Sequence, residues 1–178
     1  MDMERPFGIC ICGLNGSGKT TLGRALADQL HIRHMDAEDY FFLPAEIPYS
    51  HPRSREEAQA LLLADMREMP RFVFSAVNGD MGEEINVMYR LVVYLETSHE
   101  VRMERIQKRA YDRFGDRMLP GGDLYEQEQA FLDFAASRSA DRVEVWLRTL
   151  PCRLLRLDGT ASINANIDHI LSFVRETE

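Results

Sequence analysis

The residues best equipped for chemistry lie early in the chain. Gly13-Leu-Asn-Gly-Ser-Gly-Lys-Thr20 fits the template G-x-x-x-x-G-K-[ST] at every fixed position. Gly13, Gly16 and Gly18 permit torsions closed to other residues, so the N–H groups around Asn15, Gly16 and Ser17 can turn inward on an anion. A helix starting at Lys19 directs its positive end at the same point. Lys19 can reach β- and γ-phosphates, the Thr20 hydroxyl can ligate Mg2+, and Thr21 can touch an α-phosphate. The expected ligand is ATP or a close relative, with Mg2+. The bland alternative is a glycine-rich turn without a ligand, but the motif needs a preceding strand and a following helix, and this chain supplies both.

Carboxylates come next. Asp36 stands at the end of a short second strand, expected beside the strand that carries the loop, and ligands of open parallel sheets sit beyond such ends. Asp36 could accept the proton of an attacking hydroxyl or hold Mg2+ through a water. Asp39 is a second acceptor-binding candidate, and Tyr40, Phe41 and Phe42 could line an acceptor pocket or belong to the core. Asp80, after the third strand, is a further candidate for a Mg2+-bound water. An acidic turn that only caps a loop is the alternative for Asp36 and Asp39.

Arg102, Arg105, Arg109 and Arg113 recur at steps of three or four and therefore share a helix face, with Arg117 in the loop beyond. Phosphoryl transfer spreads negative charge over the γ-phosphate oxygens, and guanidinium groups delivered by a closing loop stabilise it and exclude water. Arg109 is the leading catalytic candidate and Arg113 the second. A solvated cation row is the competing reading, and Glu104 with Lys108 forms such an ordinary exposed pair.

The elements that must position these groups alternate strand and helix. Apolar runs at residues 7–12, 32–35, 71–77, 91–95 and 152–157 read as strands, and helical stripes separate them. Ser54 with Glu57, and Thr97 with Glu100, read as capping boxes. Residues 41–53 carry Pro44, Pro48 and Pro52 and predict an irregular excursion. Gly115–Gly122 reads as a glycine-bearing loop, followed by a helical region over 123–150, broken near 137–141. The expected architecture is α/β: a five-stranded parallel sheet with helices on both faces, in a single domain over 1–178, with an acceptor-binding excursion at 37–69 and a small lid at 110–123.

Composition limits the partners. The 178 residues carry a net charge of −8, against a broad nucleic-acid footprint, which needs a Lys/Arg surface. Cys10, Cys12 and Cys152 are too few for a disulfide framework, and Cys10 and Cys12 should be core thiols on one face of the first strand. The opening residues lack a signal-peptide profile and no apolar stretch is long enough to cross a membrane, so a cytoplasmic location is expected, as a monomer or homodimer.

Taken together, the Gly13–Thr20 loop, Arg105-Ile-Gln-Lys-Arg109 after the fourth strand and Asp158-Gly-Thr160 after the fifth resemble the nucleoside-monophosphate-kinase-like superfamily, which includes adenylate, shikimate, gluconate and uridine kinases. The resemblance implies a three-layer P-loop NTPase fold and transfer of the γ-phosphoryl of ATP to a small-molecule acceptor. It implies Arg105 stacked on adenine, Arg109 as a phosphate clamp, Arg113 and Arg117 in a mobile lid, Asp158–Thr160 near the base, and Arg138 at the acceptor. His34-Met-Asp-Ala-Glu-Asp-Tyr40 is more similar to kinases of alcohols than to nucleoside-monophosphate kinases, which carry a Thr-Gly-Asp type motif there. A nucleoside-monophosphate acceptor is the runner-up. A non-catalytic sensor or a switch is the reading from another class, although Asn-Lys-x-Asp, which a guanine switch would carry, is absent.

Overall fold

The computed structural model describes residues 7–45 and 50–175. Five parallel strands, β1 (Phe7–Cys12), β2 (Arg33–Asp36), β3 (Arg71–Ala76), β4 (Tyr89–Glu96) and β5 (Arg153–Asp158), lie in the order β2-β3-β1-β4-β5. The central strand shows why the sheet needs cover on both sides. Ile9 and Ile11 of β1 enter one buried cluster while Cys10 and Cys12 enter the other, as the two-residue period of a strand requires. Helices α1 (Lys19–Leu30) and α8 (Ile163–Arg175) close the isoleucine face through Leu22, Leu26, Ile167 and Ile170. Helices α3 (Arg55–Glu68) and α7 (Asp141–Leu147) close the other through Leu62, Met66, Val143 and Trp146. Burial raises both thiols in that core, Cys12 to about 12, so they are inert packing groups as expected.

The connection after β1 returns two places away. β3 pairs with both β1 and β2, so β2 is not beside the loop-bearing strand as the sequence suggested. Helix α1 spans the gap by packing over β3 and β2, and that brings Asp36 to the loop all the same.

Local chemistry sets the helix ends. At α3, Glu57 N–H donates to Ser54 Oγ at 3.1 Å and Ser54 N–H to Glu57 Oε2 at 3.0 Å, the reciprocal cap the sequence predicts. The cap of α5 (His99–Phe114) is Ser98, whose Oγ accepts from Val101 N–H at 3.4 Å. The expected Thr97–Glu100 box does not form, because the Thr97 hydroxyl is spent on Ser17 O at 3.3 Å, a contact that ties α5 to the phosphate loop. Asp36–Tyr40 is not a bare acidic turn: it opens helix α2 (Ala37–Phe41) with Asp36 as its cap. The excursion that follows is closed by an antiparallel bridge between Phe42 and Pro52 and by Arg53, which donates to the carbonyls of Asp39, Tyr40 and Phe42; Pro48 lies outside the described residues.

A short α4 (Glu83–Asn86) precedes β4. After α5 the chain forms a 3-10 turn at Gly115–Met118, then α6 (Tyr125–Ser137), breaking before α7 where the sequence expects the break. Among the described residues no helix is long and apolar enough to cross a membrane.

Candidate active site

The loop between β1 and α1 is built by close approach. Gly16 and Gly18 hold φ of 81° and 99°, a region that favours glycine. A Cβ on Gly16 would also lie 2.5 Å from the Arg102 carbonyl oxygen. Gly13 shapes the loop as well: its N–H donates to Val77 O at 3.3 Å, and a Cβ there would meet Ser17 Oγ and Leu95 O.

Around the loop lie two cavities. The first, of about 360 Å³, is lined by Gly16, Ser17, Gly18, Lys19, Thr20 and Thr21 together with Arg105, Arg109 and Gly159. Arg105 is fixed across it, Nη1 donating to Ser17 O at 3.2 Å and Nη2 to Gly159 O at 3.0 Å, so its planar guanidinium forms a wall between the loop and the turn after β5. That turn is held by Asp158, whose Oδ1 accepts from both N–H and Oγ1 of Thr160. The buried Ser17 Oγ has no hydrogen-bond partner, an orphan polar atom within a phosphate-binding loop, as an anion site would leave it.

The second cavity, of about 820 Å³, opens on the other side of Lys19. Asn15, Asp36, Glu38, Phe41, Phe42, Asp80, Phe131, Phe134 and three arginines, Arg55, Arg138 and Arg142, are on its wall. Lys19 lines both cavities. Its side chain is only 7% exposed. Burial lowers its pKa, Glu38 and then Asp36 oppose that shift, and the charges of Arg109 and Arg138 add to it. Four charged side chains, from the β2–α2 junction, α5 and the end of α6, thus act on one ammonium group.

Asp36 is buried and committed at both oxygens. Oδ2 accepts from the Thr20 hydroxyl at 2.8 Å and Oδ1 from Glu38 N–H at 3.1 Å. A hydroxyl and a carboxylate side by side at the start of α1 are hard oxygen donors of the kind Mg2+ takes, alongside phosphate oxygens and water. The His34–Ser75 pair lies behind them. The Ser75 hydroxyl sits between Lys19 O, to which it donates at 3.2 Å, and His34 Nε2 at 2.9 Å.

The expected site residues therefore separate. Gly16, Ser17, Gly18, Lys19, Thr20, Thr21, Arg105 and Arg109 gather at the first cavity, and Asn15, Asp36 and Arg138 at the second. Asp39 is exposed and lines neither; Glu38, one residue earlier, takes the place expected of it. A helix turns about 100° per residue, and in α2 that step decides which carboxylate faces inward. Tyr40 belongs to the core, its hydroxyl donating to Asp65 at 2.7 Å. Asp80 spends Oδ1 on Asn86 Nδ2 at 2.8 Å, holding the turn after β3.

Arg113 also departs from expectation. It is exposed beyond the first cavity, its guanidinium 5.2 Å from the Phe114 ring, because it lies a full turn past Arg109 along α5. Arg117 is engaged within the segment after α5 by a two-pronged pair with Asp123, at 2.9 and 2.6 Å. Arg102, at the other end of the row, is buried beneath the loop with Nη1 donating to Asn15 O at 3.3 Å. Glu38, Arg55, Arg142 and the phenylalanines of α6 are among the lining residues that sequence reasoning missed. Only Phe131 and Phe134, three apart and just ahead of Arg138, left a signal of a shared helix face.

Comparison with known proteins places this site in context. A family model described as the AAA domain matches residues 9–129. The uncharacterized protein YqaC of Bacillus subtilis (strain 168) is 30% identical over 174 residues, covering 93% of this chain and 96% of that protein. Shikimate kinase of Pseudoalteromonas translucida (strain TAC 125) is 32% identical over 122 residues, covering 60% of this chain and 67% of that one. The structure of shikimate kinase from Acinetobacter baumannii in complex with shikimate superimposes with a TM-score of 0.59 at 18% identity, covering 98% and 96% of the two chains, and shows the shared fold. With that fold, and matched by the family model over most of its length, the chain belongs to the AAA domain family, a family of P-loop kinases.

Proposed function

We propose that this chain transfers the γ-phosphoryl group of Mg2+-ATP to a hydroxyl of a small anionic molecule that also carries an apolar ring or face. The observation that carries the reading is Lys19 lining both cavities at once. A γ-phosphate bound at Lys19 faces the second cavity, so whatever fills that cavity meets it.

In this reading the triphosphate lies in the first cavity with its base against the Arg105 guanidinium and the Gly159 turn. Thr20 and Asp36 would hold Mg2+, which supplies neutralisation of the β- and γ-phosphate oxygens. Lys19 and Arg109 take up the charge that grows on the transferring group. From its place in the sequence Asp36 is a candidate both for the base and for the metal side. Its hydrogen bonds to Thr20 and to the start of α2 support the metal side. Glu38, which lines the acceptor cavity and is the first of the charges acting on Lys19, takes the proton of the acceptor hydroxyl. The acceptor oxygen then bonds to phosphorus as the bond to the β,γ-bridging oxygen breaks, and ADP leaves.

The acceptor class follows from the wall. Asp36, Glu38, Asp80 and Asp141 share this wall with the arginines, but with Asp36 on the metal side and Glu38 as base, Arg55 and Arg142 support an anionic group on the acceptor, and Phe41, Phe42, Phe131 and Phe134 support an apolar ring or face. A nucleoside monophosphate as acceptor fits less well, because its phosphate is already anionic and gains nothing from a carboxylate base. A sensor or switch would need no second cavity at Lys19.

The test is an ATP-dependent screen of a metabolite mixture for a mass gain of ~80 Da, the transferred phosphoryl group. Products are expected among hydroxylated anions. ATP binding with no phosphorylated product in any fraction would overturn the kinase reading in favour of a sensor.

A further inference from the structure

We propose that Asn15 is a positioning residue for phosphoryl transfer, its side-chain oxygen holding Arg138 at the mouth of the phosphate loop where the γ-phosphoryl group passes between the cavities; the inference rests on the kinase reading above. The loop template leaves position 15 open, yet Asn15 is 7% exposed and both of its carbonyl oxygens are used. Its main-chain oxygen accepts from Arg102 Nη1 at 3.3 Å and its side-chain oxygen from Arg138 Nη1 at 3.2 Å. One loop residue therefore joins α5 to the C-terminal end of α6.

Arg138 has a second restraint. Its guanidinium lies 5.1 Å from the Phe134 ring, so a hydrogen bond and a ring face together fix the orientation of a planar fork. Asn15, Lys19 and Arg138 line the same cavity, and the Arg138 charge is felt at Lys19. Guanidinium carries five N–H donors in fixed geometry. With Nη1 committed to Asn15, the other donors of the fork would be left for the oxygens of the transferring group. A leucine of nearly the same shape as Asn15 would fill the space and release the fork.

The experiment compares the binding of Mg2+-ADP alone with that of Mg2+-ADP plus aluminium fluoride, whose fluoroaluminate mimics the phosphoryl group in flight, using the full chain. Asn15→Leu should keep Mg2+-ADP affinity within about twofold while weakening the fluoroaluminate complex by about tenfold or more. Arg138→Ala should lose at least as much. The double variant should be no weaker than Arg138→Ala alone, since Asn15 acts through Arg138. Asn15→Ser, whose hydroxyl is too short to replace the amide, is the second variant, and retained Mg2+-ADP affinity reports an intact loop in each.

Wild-type fluoroaluminate affinity in both Asn15 variants would overturn the inference, as would additive losses in the double variant. Loss of Mg2+-ADP affinity in both Asn15 variants would also overturn it, making the side chain a prop for the loop itself. A wild-type chain that binds Mg2+-ADP but forms no fluoroaluminate complex would instead overturn the kinase reading, and this inference with it.

Discussion

Replacing Asp36 with asparagine separates metal positioning from folding. In the native site Thr20 donates its proton to Asp36 Oδ2 over 2.8 Å, which keeps the hydroxyl lone pairs directed away from the carboxylate. Asp36 Oδ1 meanwhile caps α2 through Glu38 N–H. Asparagine has one acceptor oxygen to divide between these duties. The capped N–H can only donate, so the amide oxygen must stay with it, and the amide nitrogen then faces Thr20 as a donor. Thr20 has to accept that bond with a lone pair that Mg2+ would use, and one negative charge is lost beside the metal. Asparagine caps a helix about as well as aspartate, so stability should change by no more than about 0.5 kcal/mol. Affinity for Mg2+ should fall about 10- to 100-fold, in line with losses at groups that orient metal ligands, equivalent to about 1.4–2.7 kcal/mol. Calorimetric titration of Mg2+ into the ADP-bound protein reads the affinity, and thermal unfolding reads the stability. Unchanged Mg2+ affinity would refute the reasoning and remove Asp36 from the metal side of the site.

Three further outcomes follow from the same geometry. Arg109→Ala should lower turnover by more than about tenfold, about 1.4 kcal/mol, while Arg113→Ala stays near wild type; equal losses, measured under saturating ATP, would mean that the lid closes far enough to bring Arg113 in. Gly23→Ala should destabilise the fold although alanine is the better helix former by about 1 kcal/mol. A Cβ at that position meets Ser75 Oγ and lies 2.8 Å from His34 Nε2, and overpacking of a filled core costs about 1–3 kcal/mol; a higher denaturation midpoint would contradict this. Burial lowers the His34 pKa below its ordinary 6.5. Below that pH the unfolded chain therefore binds more protons than the folded one, and stability should fall as pH drops below about 6.5, levelling off once the folded-state pKa is passed. His34→Gln should flatten that part of the curve in chemical denaturation at a series of pH values, and an unchanged slope would assign it to other groups.

How much could be read beforehand depended on whether a role is local. The strand-and-helix alternation and the Ser54–Glu57 cap were legible because each arises from residues a few positions apart. The Thr97–Glu100 cap was not, because Thr97 had a better use for its hydroxyl across the fold at Ser17. The position of β2 at the sheet edge was not legible either: the order of parallel strands is decided by crossovers, and an apolar run carries no mark of which neighbour it takes. Spacing correctly put Arg102, Arg105, Arg109 and Arg113 on one side of α5, but not how α5 crosses the loop. The rise from Arg102 to Arg113 is roughly 16 Å, enough to run from beneath the loop, across the nucleotide cavity and out into solvent. The Asp39 and Glu38 exchange has the same origin on a smaller scale, one step of helix in α2.

The two cavities differ in what makes them, and in the proposed kinase reading that difference explains why the sequence points to a donor and leaves the acceptor open. The first cavity is largely main chain: a glycine-shaped loop, the first turn of α1, and carbonyls that hold Arg105 in place. Main-chain recognition of phosphate requires a contiguous motif, so it is visible as one. The second cavity is assembled from separate segments, β2–α2, the start of α3, the turn after β3, and α6–α7. No segment of it is long enough to constitute a motif, and each can change without disturbing residues 13–20. Asn15 is the exception, a loop residue whose side chain reaches the wall of the second cavity, and in the proposed reading its substitution should alter transfer without touching the grip on the nucleotide.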